Sequence, residues 1–556
     1  MDYAQRIRDL AARKLKIDAV IEQPPDPAMG DYALPCFAFA KTAKKSPAQL
    51  AQEFAKQLSA DFLEKVEAKG PYVNFFLDKR RIINEAVTAA LKPGYGSSTE
   101  KERILIEYPS PNTNKPLHLG HIRNILLGST ISSLSRYQGN EVFQVNLNND
   151  RGVHICKSML AYQKWGKKKQ PDKKSDHFVG DWYVTFAKEA AKDPALDAEA
   201  QALLQRWEAG DKDVLALWKQ MNSWALAGFR ETYDKFHLEF DKEYFESAIY
   251  EKGKALVLDY LKKGIFEKDE KGNVVVNLEP EGLGKKVLLR SDGTSVYMTQ
   301  DLYLARLKEQ DFHPGRSIYV VANEQNYHFQ VLFTLLGKLK IAESETLHHL
   351  AYGMVYLPEG RMKSREGNVV DADDIIETMR ALARKELAGR YSGLPQKELE
   401  RRAEAIGMAA LRFHLLKYDP LSDITFDPKE TISFEGETGP YLQYTVARIN
   451  SIFAKHGALP KSADLALLST PEDYAIAQLL LQFPAALEQA TERYKIHLLA
   501  QHLIQLGRAF SSYYEQHHVL NAEPAVRDAR LQLCHAVRAV LTIGLGLLGI
   551  AILEEM

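Results

Sequence analysis

The sequence predicts an α/β multidomain protein, with a parallel sheet flanked by a small N-terminal α/β unit and an all-α C-terminal region. Its 556 residues exceed what one hydrophobic core accommodates, so several domains are expected. Dense apolar runs at 103–108 and 141–147 enclose a loop and a helical pattern. This strand–loop–helix–strand order is typical of a βαβ unit, and therefore of a Rossmann-like parallel sheet. From Ala372 onward the pattern is almost entirely helical.

The remaining elements set the expected domain boundaries. An amphipathic helix with Ile7 and Leu10 opens the chain, and a turn at Gly70 precedes the apolar run 72–77. A Pro/Gly/Ser-rich stretch near 93–98 is typical of a linker. The predicted units are an α/β domain at 1–97, a parallel-sheet domain at 98–371 with a helical insertion at about 155–250, a helical connector at 372–430 and an α-helical domain at 431–556.

Composition narrows the function classes. Lys plus Arg total 72 and Asp plus Glu 73, so a uniformly basic nucleic-acid coat is excluded, although a local basic patch is not. Three widely separated cysteines, Cys36, Cys156 and Cys534, predict neither a disulfide framework nor a Cys-rich zinc site. The N-terminus lacks the uncharged run of a signal peptide, and Val540–Leu553 is too short and Gly-punctuated to span a bilayer. We therefore expect a cytoplasmic protein without a membrane partner.

The loop at 110–121 concentrates the chemistry. His118 and His121 flank Gly120, and Lys115 stands just upstream. The segment lies between a predicted strand and a predicted helix, where α/β sheets bind ligands and helix N-termini favour phosphate. Phosphoryl transfer needs chiefly positioning and positive charge, which imidazoles and a lysine can supply. The alternative is that both histidines are capping or core residues.

This loop resembles the His-Ile-Gly-His signature of the class I aminoacyl-tRNA synthetases. The longer string from Glu107 to Asn124 resembles the arginyl-tRNA synthetase family. Further similar segments cover nearly the whole chain: Gly30–Ala33, Tyr72–Phe75, Asp150–Gly152, Asp292–Asp301, Gln325–His328 and Tyr441–Ile449. The resemblance implies a Rossmann-like catalytic domain, an N-terminal additional domain that contacts tRNA and a C-terminal anticodon-binding domain.

The resemblance also implies the reaction and its participants. L-Arginine would react with ATP to give arginyl-adenylate and pyrophosphate, and the arginyl group would pass to the 3′-terminal ribose of tRNA(Arg). Mg²⁺ would accompany ATP, held mainly by its phosphates and not by a protein metal site. Family members usually need tRNA before they activate arginine, and a monomer is expected.

The residues implied for these steps fall into three sets. The expected catalytic residues are His118, His121 and Lys115. Expected ATP contacts also include Pro111, Gly120, Met354, Val355, Lys363, Ser364 and Arg365. The expected arginine site comprises Glu107, Ser110, Asn112, Tyr297, Asp301 and Gln325. Glu107 and Asp301 are the acids expected to bind the guanidinium, since a carboxylate pairs with it through two hydrogen bonds.

One segment departs from the class I pattern. The usual Lys-Met-Ser-Lys-Ser loop corresponds to 360–368, where Ser364 replaces the second lysine. Family members that lack this lysine commonly carry one just ahead of the histidine signature. Lys115 is therefore expected to compensate, with Lys363 and Arg365 secondary; the alternative is that the segment is a solvated, charged turn.

Contacts with tRNA are expected at two places, each with a plainer alternative. The lysines between 164 and 174, among them Lys167 and Lys168 beside Trp165, could neutralise phosphates or simply be solvated. The region from 431 is not basic, so it would recognise unpaired bases by shape, stacking and hydrogen bonds. Its candidates are Tyr441, Gln443, Tyr444, Arg448 and Tyr514, although tyrosines at helical spacing commonly belong to a core.

Two other function classes compete. A small nucleotidylyltransferase also uses a His-x-Gly-His phosphate site, but it does not require a large helical C-terminal region. A catalytically idle RNA-binding paralogue would keep the fold, and the altered loop at 361–365 is the feature that favours it. His118, His121 and Lys115 argue against that second alternative.

Overall fold

The structure is a computed structural model that describes residues 3–99, 101–358, 370–391 and 393–556. The N-terminal domain is a three-stranded antiparallel sheet, in the order β1-β3-β2, covered by helices. Its elements are α1 (Tyr3–Leu15), β1 (Tyr32–Pro35), α2 (Phe37–Ala43), α3 (Pro47–Gln57), β2 (Leu63–Lys69), β3 (Tyr72–Leu77) and α4 (Lys79–Ala90).

A five-stranded parallel sheet forms the central domain, and its order is β11-β10-β4-β5-β6. A small antiparallel sheet, β7-β8-β9, lies at its side. The elements are β4 (Arg103–Glu107), α5 (Leu119–Tyr137), β5 (Glu141–Asn148), α6 (Val153–Trp165), α7 (Ser175–Ala190), α8 (Ala195–Glu208), α9 (Lys212–Lys235), β6 (Lys242–Phe245), α10 (Glu246–Lys262), β7 (Glu267–Lys268), β8 (Val274–Leu278), β9 (Gly284–Leu289), α11 (Tyr297–Phe312), β10 (Arg316–Ala322), α12 (Asn326–Lys338), β11 (Leu347–Tyr352) and β12 (Val355–Tyr356).

The C-terminal region is helical apart from one short strand, β13, which pairs with β12. Its elements are α13 (Ala372–Arg390), α14 (Gln396–Leu416), β13 (Ile424–Thr425), α15 (Pro428–Thr431), α16 (Gly439–His456), α17 (Pro471–Glu492), α18 (Ile496–Gln516) and α19 (Pro524–Leu547). Within the described part of the chain, no helix is long and apolar enough to cross a membrane. The predicted fold class is confirmed.

Part of the predicted insertion is wrong in detail. Residues 242–245, expected to be helical, form β6, the edge strand of the parallel sheet. Strand β6 has only four residues, two of them charged, so it is too short to show the alternation of apolar and polar residues that is typical of a strand. The helical insertion is therefore α6 to α9, and α10 returns the chain to the sheet.

Helix α5 lies at the centre of the molecule, between the sheet and the C-terminal helices. Almost every face of it is buried, and this explains its weak amphipathic pattern. Gly128 lies against the Tyr108 ring, where a Cβ would come 2.4 Å from Cγ. Glycine is thus required for α5 to approach the loop that follows β4.

The N-terminal domain docks on α17. The Asp31 carboxylate accepts hydrogen bonds from the Tyr474 hydroxyl at 2.7 Å and the Gln478 amide at 3.2 Å. The same carboxylate accepts the backbone N–H of Leu77 at 2.8 Å, which ties the contact to strand β3. The first and last domains are therefore joined directly.

We expect Gly128→Ala to destabilise the fold by about 1–3 kcal/mol, because the added methyl group would force Tyr108 or α5 to move. Gly389→Ala is the matched control, since Gly389 lies in α13 and no atom lies within 4 Å of the position that its new methyl group would take. It should stabilise the helix by about 0.5–1 kcal/mol. Urea unfolding monitored by circular dichroism measures both; equal effects would contradict the packing described.

Candidate active site

The candidate site lies at the carboxyl ends of the parallel strands. Strand β4 is central, and the chain continues to β5 on one side and later to β10 on the other. Open α/β sheets bind ligands in the crevice at such a reversal of strand order. The segments after β4, β5, β6, β10 and β11 all converge there, and they include most of the residues singled out above.

His118 and His121 form a reciprocal cap on α5. The Nδ1 atom of His118 accepts the backbone N–H of Gly120 at 3.2 Å, and the backbone N–H of His118 donates to Nδ1 of His121 at 3.1 Å. The ring centroids lie 3.9 Å apart. Since each Nδ1 is an acceptor, each neutral ring carries its proton on Nε2. The pair therefore offers two N–H donors.

Burial keeps both rings neutral. Burial, reinforced by the Lys115 charge, lowers the pKa of His118 to about 3. Burial and the neighbouring His118 and Lys115 place the pKa of His121 well below its ordinary value. The rings thus act as hydrogen-bond donors near pH 7, and Lys115 is the cation of the trio. Burial lowers the pKa of Lys115 as well.

The loop from Ser110 to Asn114 is fixed by the end of β5 and the residue that follows it. The backbone N–H of Ser110 donates to Oδ1 of Asn146 at 3.1 Å, and the side-chain amide of Asn149 donates to the Ser110 carbonyl at 2.9 Å. Asn112 pairs with Asn149 in a parallel bridge that continues the sheet register, and Pro111 is buried beneath it. At Gly120, a Cβ would lie 3.1 Å from Cε1 of His118, so glycine lets that ring fold over the helix start.

The two predicted guanidinium acids have different surroundings. Asp301 is part-exposed and accepts from Nε2 of His328 at 2.7 Å. Burial lowers the pKa of His328, but the hydrogen bond and charge of Asp301 outweigh it and the pKa is raised. Glu107, in contrast, is buried against the ammonium of Lys308 at 2.7 Å. Its charge is neutralised within the protein.

Tyr297 and Gln325 lie near Asp301 in the fold. Tyr297 begins α11, one turn before Asp301, and is 72% exposed. Gln325 is exposed in a short 3-10 turn at the carboxyl end of β10, three residues before His328.

Glu246 is a candidate that sequence reasoning missed. It is the first residue of α10, directly after β6, and is 6% exposed. Burial raises its pKa to about 7; Arg151 opposes this, while Asp150 and Asp301 add to it. The sequence signal for Glu246 is an acidic residue directly after a strand, and it cannot be recognised when strand β6 is not predicted.

Arg123 fixes the segment that contains Met354 and Val355. It is fully buried, and its guanidinium donates to the carbonyls of Gly353 at 2.6 Å and Pro420 at 3.0 Å. Met354 donates its N–H to Asp423 at 2.7 Å, and Val355 pairs with Ile424. The predicted loop at 360–368, with Lys363, Ser364 and Arg365, lies outside the described residues.

Four of the five C-terminal candidates meet on one surface. The Arg448 guanidinium lies 4.9 Å from the Tyr444 ring centre and 5.3 Å from that of Tyr514. The Tyr441 hydroxyl lies 3.0 Å from Oγ of Ser511 on α18. This group of side chains is called the Tyr/Arg surface below.

Gln443 needs correction. Its side chain is fully buried, and its amide donates to the carbonyls of Ala551 at 2.6 Å and Ala405 at 3.4 Å. Such an amide joins the C-terminus to α14 and cannot contact a base from this position.

The lysine cluster is smaller than the sequence suggests. Lys164 pairs with Glu199 at 2.7 Å, and Lys173 pairs with Asp181 at 2.5 Å. Lys167, Lys168 and Lys169 are exposed beside Trp165, itself 37% exposed. A separate cleft of about 1040 Å³ lies between the N-terminal domain, the amino ends of the strands and α17, so it is not part of this site.

Comparisons with known proteins find similar sequences along nearly the whole chain. Three family models match: "Arginyl tRNA synthetase N terminal domain" at 3–77, "tRNA synthetases class I (R), catalytic domain" at 85–428 and "DALR anticodon binding domain" at 442–556.

Similar proteins cover nearly the full length. Arginine–tRNA ligase of Treponema pallidum is 44% identical, over 97% of this chain and 95% of that protein. That of Treponema denticola is 45% identical, over 96% and 94%. The solved arginyl-tRNA synthetase of Thermus thermophilus superposes with a TM-score of 0.83 at 28% identity, covering 100% of each chain. The chain belongs to the arginyl-tRNA synthetase family of class I aminoacyl-tRNA synthetases, as the histidine segment implied.

Proposed function

We propose that this protein joins L-arginine to tRNA(Arg) in two steps. One carboxylate oxygen of arginine attacks the α-phosphorus of ATP, the bond to the bridging oxygen breaks and pyrophosphate leaves. A terminal ribose hydroxyl of the tRNA then attacks the arginyl carbonyl, and AMP leaves with the electron pair of the acyl–oxygen bond. The observation that carries the proposal is the capped His118–His121 pair beside Lys115 at the strand reversal.

The histidine pair would bind the transferring phosphoryl group. Two Nε2–H donors placed by backbone hydrogen bonds cost no reorganisation when charge develops on the phosphoryl oxygens. Lys115 adds a full positive charge close by. Pro111, Gly120, Met354 and Val355 would line the adenosine, and Lys363, Ser364 and Arg365 remain predicted phosphate contacts.

Asp301 is the acid best placed to take the guanidinium, and we add Glu246 as its partner. Among the described residues, neither Asp301 nor Glu246 forms a salt bridge with a lysine or an arginine. Glu107, in contrast, forms one with Lys308. An arginine side chain would replace the missing cation and favour the charged form of Glu246. Tyr297 would cover the guanidinium, and Ser110, Asn112 and Gln325 would hold the polar head group. The Glu107–Lys308 pair would then support the floor of the site.

The Tyr/Arg surface would stack on unpaired bases of the tRNA. A guanidinium between two tyrosine rings is a rigid, planar platform, and base–aromatic stacking contributes about 1–3 kcal/mol per base. Lys167 and Lys168 would neutralise backbone phosphates elsewhere on the tRNA.

Mg²⁺ would arrive with ATP and be held by its phosphates. In the described ranges, the side chains grouped closely enough to hold a cation are Asp176, His177 and Asp373, and the Lys174 ammonium already lies 3.0 and 2.8 Å from the two acids. We therefore assign this cluster to ion pairing and keep Mg²⁺ with the substrate in the proposal. We expect a cytoplasmic monomer.

Pyrophosphate exchange with each amino acid, with and without total tRNA, tests the reaction. We expect arginine to be the only amino acid that supports exchange, and we expect that exchange to require tRNA. Lys115→Ala should abolish it, because Lys115 is the cation expected to replace the lysine of the altered loop, with Lys363 and Arg365 only secondary. Lys164→Ala, which removes an exposed ion pair, is the control. Near-normal exchange by Lys115→Ala would refute the compensation by Lys115.

The arginine KM should fall as pH rises from 6 to 8. With a pKa of about 7, Glu246 is largely neutral at the lower end and charged at the upper end, and only the carboxylate pairs with a guanidinium. Glu246→Gln should raise the arginine KM roughly 10- to 100-fold and remove this pH step. Glu251→Gln, on the exposed side of α10, is the control. An unchanged pH step in Glu246→Gln would assign it to another group, such as His328.

Tyr514→Ala should raise the KM for tRNA about 5- to 100-fold, with the KM for ATP unchanged, because one face of the stacking platform is lost. Tyr418→Ala, which removes another exposed tyrosine, serves as the control. Aminoacylation with limiting tRNA is the measurement. If both variants behave alike, the Tyr/Arg surface does not bind tRNA.

A further inference from the structure

Helix α7 of the insertion packs directly on the segment that carries Lys115 and His118. The contact is close at Gly180, where a Cβ would lie 2.6 Å from Cδ of Pro116 and 3.5 Å from Cα of Lys115. Only a glycine lets α7 come so near. The helix therefore forms one wall behind the start of the histidine segment.

The same helix reaches the other end of that segment through His177. Its Nδ1 lies 3.3 Å from Asp371 and its Nε2 lies 3.0 Å from Asp373. The backbone of Asp371 forms an antiparallel bridge with His118. Two backbone hydrogen bonds form this bridge: the Ala372 N–H donates to the Leu117 carbonyl at 2.8 Å, and the Leu119 N–H donates to the Val370 carbonyl at 3.4 Å. The His177 imidazole thus contacts the segment that pairs with the backbone of His118.

A protonated His177 supplies the positive charge that faces Asp371 in this cluster. The close ion contacts join Lys174, Asp176 and His177 from α7, Lys235 from α9, and Asp371 and Asp373 at the start of α13. Lys235 approaches Asp373 at 2.6 Å, and Asp374 also acts on Asp371. With a protonated imidazole, three positive groups face the three aspartates that they contact, and Asp374 adds further negative charge. With a neutral imidazole, Asp371 has no positive partner among these ion contacts.

The titration of the cluster agrees with that pairing. The hydrogen bond that His177 donates to Asp373 raises the pKa of the imidazole above its ordinary value, although burial opposes it. Burial raises the pKa of Asp371 to about 6. Above the pKa of Asp371 and below that of His177, the imidazole is charged and the carboxylate is ionised, so the contact is strongest.

We propose that His177 is a positioning residue for ATP binding, holding the Asp371 segment and, through it, the backbone of His118. This rests on the proposed role of His118 at the phosphoryl group. The residue acts without touching ATP: it fixes the bridge partner of His118, while Gly180 on the same helix fixes Lys115.

The pH dependence follows from the sign of the charges. As pH rises through the pKa of His177, the imidazole loses its proton, Asp371 loses its attraction and the bridge to His118 loosens. The KM for ATP therefore rises at high pH. Below about pH 6, Asp371 becomes neutral and the same contact weakens. His118, with a pKa of about 3, does not titrate in this range.

The test compares His177→Gln with His177→Arg in tRNA-dependent pyrophosphate exchange from pH 6 to 9. The glutamine keeps a hydrogen bond without charge; we expect a roughly 10- to 100-fold higher KM for ATP, the size of effect expected from a small misplacement, and no rise with pH. The arginine keeps the charge and can reach both aspartates. The KM of His177→Arg for ATP should therefore be close to that of the wild type, and its pH dependence should be absent. The KM for arginine should stay unchanged in both.

His237→Asn, which changes an exposed histidine in the turn after α9, is the control and should match the wild type. Gly180→Ala should raise the KM for ATP independently, by moving Lys115. Thermal melting checks that every variant is folded. Equal KM values for the glutamine and arginine variants, or a glutamine variant within two-fold of the wild type, would overturn the proposal.

ATP titration of the enzyme–tRNA complex makes the same comparison without any amino acid. A wrong assignment of the amino acid would leave this comparison intact, so failure of the proposed function and failure of the His177 inference are distinguishable.

Discussion

The hydrogen bonds that His118 and His121 make at the start of α5 are the constraint on which the site depends. A side chain normally caps a helix to satisfy its first N–H groups. Here the caps are imidazoles, and capping with Nδ1 determines where the remaining proton must be. The two donors are thus oriented by the backbone, and burial keeps them neutral. In the proposed mechanism, the same two bonds that stabilise the helix would also orient the donors toward the phosphoryl group.

The rest of the fold places partners around that cap. The sheet reversal brings the ends of β5, β6 and β10 to the same edge, and each contributes a polar group: Asp150, Glu246 and Gln325. The insertion and the C-terminal helices close it from behind, since α7 lies against Lys115–Pro116 and α13 begins beside His118. Neither the sheet nor the helical regions alone would form the site.

The sequence allowed the histidine segment, the βαβ unit and the helical C-terminal region to be predicted, because each carries a local pattern. Strand β6 could not be predicted, since Lys242–Phe245 is too short to show alternation, and Glu246 was missed with it. Strand β11 has two histidines in its middle and no continuous apolar run. The pairing of Glu107 with Lys308 joins residues about 200 positions apart, and no spacing rule reveals it. The burial of Gln443 likewise depends on where the C-terminal residues return.

Arg123 makes the catalytic sheet and the segment before α15 inseparable. Its guanidinium lies in the core, where burial lowers the pKa to about 10, and it is satisfied by carbonyls on both sides: Gly353 from the sheet and Pro420 from beyond α14. Removing the Pro420 carbonyl would leave a buried cation with unsatisfied hydrogen-bond donors. All three residues lie within the catalytic-domain match at 85–428, so the helical segment after residue 372 is tied into that domain at this junction. A gene fusion or split that cuts between 372 and 420 would have to supply those carbonyls again.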